Sequence, residues 1–263
     1  MTSISAHPLH VDETDVQFYN KNGYFIYQHA IFPTEKFQRL KDFFEDLVVN
    51  LPRDKRPEAM DVPHFAHPEL FEWLLADEVL DLVEHFIGPD IALWSSHFIC
   101  KPPSDGQRVP WHEDSAYWGE RLSKHEVVTV WLAIDDSLVE NGCMRVVSGT
   151  HNHGFSDYEP VDDPEKQVFS REIVSQQVDQ SKVVDLEIMQ GQCHLHHSKM
   201  VHGSNANTSA RRRCGYTMRY MPTSVKVKNM SERSTHAIYL ARGKDLGGNE
   251  YSDPTTQFVA GIR

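Results

Sequence analysis

Val127-Val128-Thr129-Val130-Trp131-Leu132-Ala133-Ile134 reads as a strand with two distinct faces. Side chains alternate across a strand, so Val128, Val130, Leu132 and Ile134 share one face and Thr129, Trp131 and Ala133 the other. Similar segments lie on both sides of it. Residues 91–100 are β-like and are stopped by Lys101-Pro102-Pro103, and 143–147 follow the turn Glu140-Asn141-Gly142. Residues 183–188, 192–197 (after Gly191) and 213–221 complete the set. Many short strands separated by turns predict a sandwich or barrel.

The first ninety residues are different. They predict a helix over 12–20, a strand over 24–27 opened by Gly23, and a helix capped by Thr34. That second helix keeps Phe37, Leu40, Phe43, Phe44, Leu47 and Val48 on one face. A third helix, capped by Asp77, ends at Gly88-Pro89. Residues 51–68 read as loop. Residues 150–181 are polar with little periodicity, and a loop that long is functional or disordered. No linker divides the chain. The expected organisation is one domain over 1–263: a helical part about 10–90, a β core about 91–222 and a C-terminal extension 223–263.

The chain has 263 residues, 40% of them hydrophobic, which is enough for a sizeable core. No apolar run is long enough to span a bilayer. Residues 1–10 lack a signal-peptide pattern, and Gly261-Ile262-Arg263 is not a peroxisomal address, so a cytoplasmic location is expected. A formal net charge of -12 argues against nucleic acid as a partner. Cys100, Cys143, Cys193 and Cys214 form no C-x-x-C pair and are expected to be reduced packing residues. The oligomeric state is not legible.

Chemistry concentrates at Trp111-His112-Glu113-Asp114, then at His202 and Arg213. On an extended segment His112 and Asp114 point the same way, close enough to share a metal; the plain alternative is a polar turn after Pro110. With His202 they make a two-histidine, one-carboxylate set, the pattern that holds iron(II) on one face and leaves the other open. Arg213 enters an apolar strand, where its charge needs a partner. That partner is either a bound dicarboxylate, gripped in a bidentate fork, or one of the chain's own acids.

Several short segments, in order, resemble the phytanoyl-CoA dioxygenase family of Fe(II)/2-oxoglutarate oxygenases. They are Asn22-Gly23-Tyr24, Gly88-Pro89-Asp90-Ile91, Lys101-Pro102-Pro103-Ser104-Asp105-Gly106 and Trp111-His112-Glu113-Asp114. Then come Asn141-Gly142-Cys143-Met144, Ser148-Gly149-Thr150-His151, and His202-Gly203-Ser204 with Asn207 and Arg213. The resemblance implies a mainly β fold with flanking helices, a double-stranded β-helix or jelly roll, with the metal in its mouth. It implies iron(II) on His112, Asp114 and His202, and 2-oxoglutarate held by Arg213, Ser204 and Trp131, with Thr129 on the same strand face. It implies hydroxylation of an aliphatic C–H with consumption of O2 and release of succinate and CO2. Related halogenases lack the carboxylate that Asp114 supplies here. Glutamine is frequent in the family where this chain has Glu113, and the change is expected to alter polarity near the substrate.

Substrate clues are fewer. Tyr117, Trp118 and Arg121 follow the metal motif, and Arg219 shares the strand face of Arg213, as an anion binder or a salt-bridged residue. Residues 152–180 are the expected lid, with Tyr158 as a contact. His194 and His196 line up on one strand face and are expected near the pocket. The substrate expected is a small polar, or anionic, metabolite. No basic cluster marks a place for coenzyme A. The competing class is a jelly roll that binds metal without turnover, or a cupin that works without 2-oxoglutarate.

Overall fold

The computed structural model of the protein describes residues 10–228 and 236–259. The readings of residues 1–9 and of Gly261-Ile262-Arg263 lie outside them. Helix α1 (Glu13–Asn22) is set by its ends. Asp12 accepts from the amides of Thr14 and Asp15, and the Asp15 carboxylate accepts from the Asp12 amide, a closed capping box. Gly23, at φ 80°, ends the helix by donating to the Tyr19 carbonyl, and β1 (Tyr24–Tyr27) follows at once. Helices α2 (Thr34–Val49), α3 (Phe71–Leu74) and α4 (Asp77–Ile87) complete the N-terminal part. Two expected caps are not caps. Pro33 and Ala76 hold the N-cap positions, and Thr34 and Asp77 are the first helical residues. Asp77 faces Arg242 at 2.8 Å instead of its own helix.

Strands β2 (Met60–Asp61), β3 (Ile91–Lys101), β4 (Val109–His112), β5 (Val128–Ala133), β6 (Met144–Val147), β7 (Tyr158–Pro160) and β8 (Arg171–Ile173) come next, with the short helix α5 (Asp114–Trp118) after β4. Strands β9 (Val183–Leu186), β10 (Cys193–His197), β11 (His202–Ser204), β12 (Arg213–Pro222) and β13 (Tyr239–Arg242) finish the order. A larger sheet runs β1-β10-β5-β12-β3-β13, with β2 also on β3; a smaller one runs β4-β11-β6-β9; β7 and β8 form a hairpin. Every pairing between these strands is antiparallel.

The alternation expected for β5 is what layers the molecule. Val128, Val130 and Leu132 pack with Leu40, Phe44, Val79 and Val83 of the helices. Trp131 and Ala133, on the other face, meet Met144, Val146 and Leu186 of the smaller sheet. Strand β12 divides the same way: Cys214, Tyr216, Met218 and Tyr220 join the helical core, while Arg213, Thr217 and Arg219 line a cavity between the sheets. Two antiparallel sheets face to face, with helices on the outer face of one, make the expected jelly roll.

Strands β2, β4, β7, β8, β11 and β13 escape the sequence reading; none exceeds four residues. The polar stretch 150–181, expected to be loop, contains the β7–β8 hairpin. The four cysteines are free and buried, as expected. Among the described residues no helix is long and apolar enough to cross a membrane.

Candidate active site

His112 ends β4 and His202 begins β11, and the pairing of these strands sets the two residues directly opposite each other. Asp114 opens α5 two residues on. The imidazole centroids are 4.0 Å apart. Asp114 Oδ1 lies 3.7 Å from His112 Nε2 and 3.8 Å from His202 Nε2, and the candidate ligand atoms all fall within 4.8 Å of one another. Each histidine has its other nitrogen committed: His112 Nδ1 is 2.9 Å from the Pro110 carbonyl, and His202 Nδ1 is 2.8 Å from the Met200 carbonyl. A carbonyl only accepts, so Nδ1 carries the proton in both rings and both Nε2 lone pairs face Asp114.

The charge states suit a metal. Burial and the neighbouring His112 hold His202 at about 3, so it is a neutral donor at neutral pH. Burial works to raise the Asp114 carboxyl, but Arg219 and the two histidines prevail and keep it well below the ordinary carboxylate range. Two imidazole nitrogens and one carboxylate oxygen, buried and clustered on one side of a cavity, fit a divalent transition ion such as iron(II). His194 and His196 form no second cluster: among the described residues only His112, Asp114 and His202 are grouped as metal donors.

Arg213 and Arg219 lie six residues apart on one face of β12, roughly 20 Å at strand rise. Arg213 is 2% exposed. Its Nε and Nη2 both donate to the Gly142 carbonyl, at 3.0 and 2.7 Å, and its Cζ sits 5.2 Å from the centre of the Trp131 ring. Among the described residues no carboxylate pairs with it, so the salt-bridge alternative fails. Burial lowers its pKa to about 10, which leaves it charged at neutral pH. Trp131 in turn stacks on His194, with centroids 5.3 Å apart and planes at 8°. It lies across Gly215, where a β-carbon would collide with the indole. Ser204 Oγ is buried on the same cavity wall, without a hydrogen-bond partner among the described residues. Such orphaned groups are the usual mark of a missing ligand or water. Thr129 Oγ1 is likewise unpartnered, but Thr129 is not on the wall.

The cavity is about 200 Å³ and touches His112, Asp114, His202, Arg213, Ser204 and Trp131 together. Arg219 also lines it, and its Nε donates to Asp114 Oδ2 at 3.1 Å, so of the two readings open for Arg219 the ion pair is present. The other expected substrate contacts lie off the wall. Tyr117 is half exposed, beside Phe169 and 5.9 Å from the His112 ring. Trp118 packs on Trp94, and Arg121 is exposed. Tyr158 is turned to Glu113: its hydroxyl donates to Glu113 Oε2 and accepts from the Glu113 amide, both at 3.0 Å. Glu113 also takes Ser156 Oγ at 2.9 Å. It is buried and off the cavity wall, so its expected effect on polarity beside the substrate gives way to a role in tying down 156–158.

Sequence reasoning missed Val168, Phe169 and Glu58 on the wall. Phe169 meets His112 edge to face at 4.8 Å. An adjacent apolar pair inside the polar stretch 150–181 was the available signal for it; Glu58, in a charged loop, gave none.

The profile of the phytanoyl-CoA dioxygenase (PhyH) family matches residues 19–215. The chain is 30% identical over 152 residues to the "probable alpha-ketoglutarate-dependent hypophosphite dioxygenase" of Stutzerimonas stutzeri, covering 57% of this chain and 52% of the relative. It is 27% identical over 216 residues to the peroxisomal phytanoyl-CoA dioxygenase of Homo sapiens, covering 73% and 62%. The chain thus spans little more than half the length of these relatives. Among solved structures, the apo form of the non-heme monooxygenase ThoJ superposes with a TM-score of 0.73 at 24% identity, over 93% of this chain and 90% of that one, which shows a shared fold. With three quarters of its length under the family profile, this chain belongs to the phytanoyl-CoA dioxygenase family.

Proposed function

We propose that the protein is an iron(II)- and 2-oxoglutarate-dependent dioxygenase that hydroxylates an aliphatic C–H of a small polar, anionic metabolite. The observation that carries this reading is Arg213, charged, buried and unpaired by any carboxylate of the described residues, in the same cavity as the His112, Asp114 and His202 cluster. A cupin that works without 2-oxoglutarate would leave that charge uncompensated in the core, at a cost of several kcal/mol.

Iron(II) with bound 2-oxoglutarate would supply the oxidant, consuming O2 and releasing succinate and CO2. The chain's own part is to bind, orient and exclude. His112, Asp114 and His202 would hold the metal. The Arg213 guanidinium, already anchored on Gly142, would grip the distal carboxylate, with the unpartnered Ser204 hydroxyl as a further donor and the Trp131 ring as a flat wall. Phe169 and Val168 add apolar surface to the cavity wall.

Two features support the substrate class. A cavity of about 200 Å³ has room for a five-carbon diacid with a small substrate beside it. With Asp114 balanced by Arg219, and Arg213 balanced by the distal carboxylate, the bound metal leaves a positive excess that favours an anion. The four reduced, buried thiols accord with a cytoplasmic setting.

Arg213→Ala tests the reading. Removing one partner of a buried charge pair costs several kcal/mol, so succinate release should fall about 100-fold or more. Turnover that persists in this variant, or that needs no 2-oxoglutarate, contradicts the proposal.

A further inference from the structure

Asp114 is held through one oxygen and turns the other toward the two histidines. Oδ1 faces the two Nε2 atoms of His112 and His202, at 3.7 and 3.8 Å, while Oδ2 accepts from Arg219 Nε at 3.1 Å. Arg219 is itself fixed. Its Nη1 donates to Thr217 Oγ1 at 3.2 Å, and its Cζ lies 6.0 Å over the Trp118 ring. The strand that carries it changes register just after it, between Arg219 and Tyr220. His196 Nε2, with no hydrogen-bond partner, stands 4.0 Å from the same Oδ2.

We infer that Arg219 is a positioning residue that keeps Asp114 a one-oxygen ligand. The inference rests on the iron(II) and 2-oxoglutarate reading above. Three protein donors leave half of a six-coordinate ion open. A carboxylate that turned to bind through both oxygens would close one of those places and compete with a chelating keto acid. For Asp114 that turn breaks a buried, charge-assisted hydrogen bond and strands a guanidinium in the cavity wall. Arg219 therefore holds the open half of the centre open.

The test compares wild type with Arg219→Gln and Arg219→Lys, loaded anaerobically with Mn(II). Crystal structures of the loaded proteins count the Asp114 oxygens on the metal, and titration gives the affinity for 2-oxoglutarate. Wild type should show one oxygen on the metal. Arg219→Gln should show two, with 2-oxoglutarate bound about 10-fold more weakly and Mn(II) no more weakly. Arg219→Lys, which keeps a charged donor, should recover part of the 2-oxoglutarate affinity. A purely structural role would weaken both ligands together. Two oxygens already in wild type, or one oxygen and unchanged 2-oxoglutarate affinity in Arg219→Gln, overturns the inference. Should Arg219→Gln not fold, Thr217→Val replaces it: it loosens Arg219 without removing its charge and should lower 2-oxoglutarate affinity a few-fold, no change counting against the inference. Wild type that binds Mn(II) but not 2-oxoglutarate overturns the functional reading, and the count of Asp114 oxygens then still decides the role of Arg219.

Discussion

Gly215 shows how a single position sets the co-substrate end of the site. Its missing β-carbon is where the Trp131 indole lies, and Trp131 in turn offers its face to Arg213. In Gly215→Ala the ring must move, because a packed core absorbs little added volume. The expected cost is about 1–3 kcal/mol in urea denaturation, together with weaker 2-oxoglutarate binding. Unchanged binding would show that Trp131 is not needed there. At this scale much was legible. His112, Asp114, His202 and Arg213 stood out because each is a charged or metal-binding residue in an apolar or extended setting; Trp131 rested on the family resemblance, and Thr129, added by strand alternation, lies off the wall. The partner of Arg219 was not legible: residues 114 and 219 meet only because β12 runs past α5, and nothing local in either segment records it.

At the scale of elements, one hairpin covers part of the site. The β7–β8 hairpin packs Ile173 and Tyr158 against Val147 and Val201, and carries Val168 and Phe169 over the cavity in the segment between its strands. Its base is tied to the metal motif by Glu113, which takes Ser156 Oγ and the Tyr158 hydroxyl. Glu113→Ala should free that base. Hydrogen exchange across residues 156–173 should rise, while the metal centre, which does not use Glu113, keeps its affinity; protection equal to wild type would rule out the tie. The hairpin was read as loop because its strands have three residues each and polar neighbours. The ligand-bearing strands β4 and β11 were equally unreadable, since metal ligands and glycine replace the apolar alternation that marks a strand. The longer strands β3, β5, β10 and β12, and the helices α1, α2 and α4, were read close to their bounds because each carries a full period of apolar residues.

For the whole molecule, buried histidines tie stability to pH. Burial holds His64, His194 and His202 at about 3 and His97 at about 4, against 6.5 for a free imidazole. Between those values the unfolded chain binds protons that the folded chain does not, so stability is lost as pH falls below about 6.5. Each of the most buried rings contributes about 1 kcal/mol of that loss by pH 5.5. The urea midpoint of the metal-free protein should therefore drop steadily from pH 7.5 to pH 5. A flat profile would mean these rings are not neutral and buried as described.

The measurement that bears most directly on the central claim is an anaerobic titration of metal-free protein with Fe(II) and then 2-oxoglutarate, followed by visible absorption. The expected result is a weak charge-transfer band that saturates near one equivalent of 2-oxoglutarate and is lost or greatly weakened in Arg213→Ala. Iron bound without any such band would contradict the 2-oxoglutarate reading, and leave the chain a metal-binding jelly roll of another chemistry.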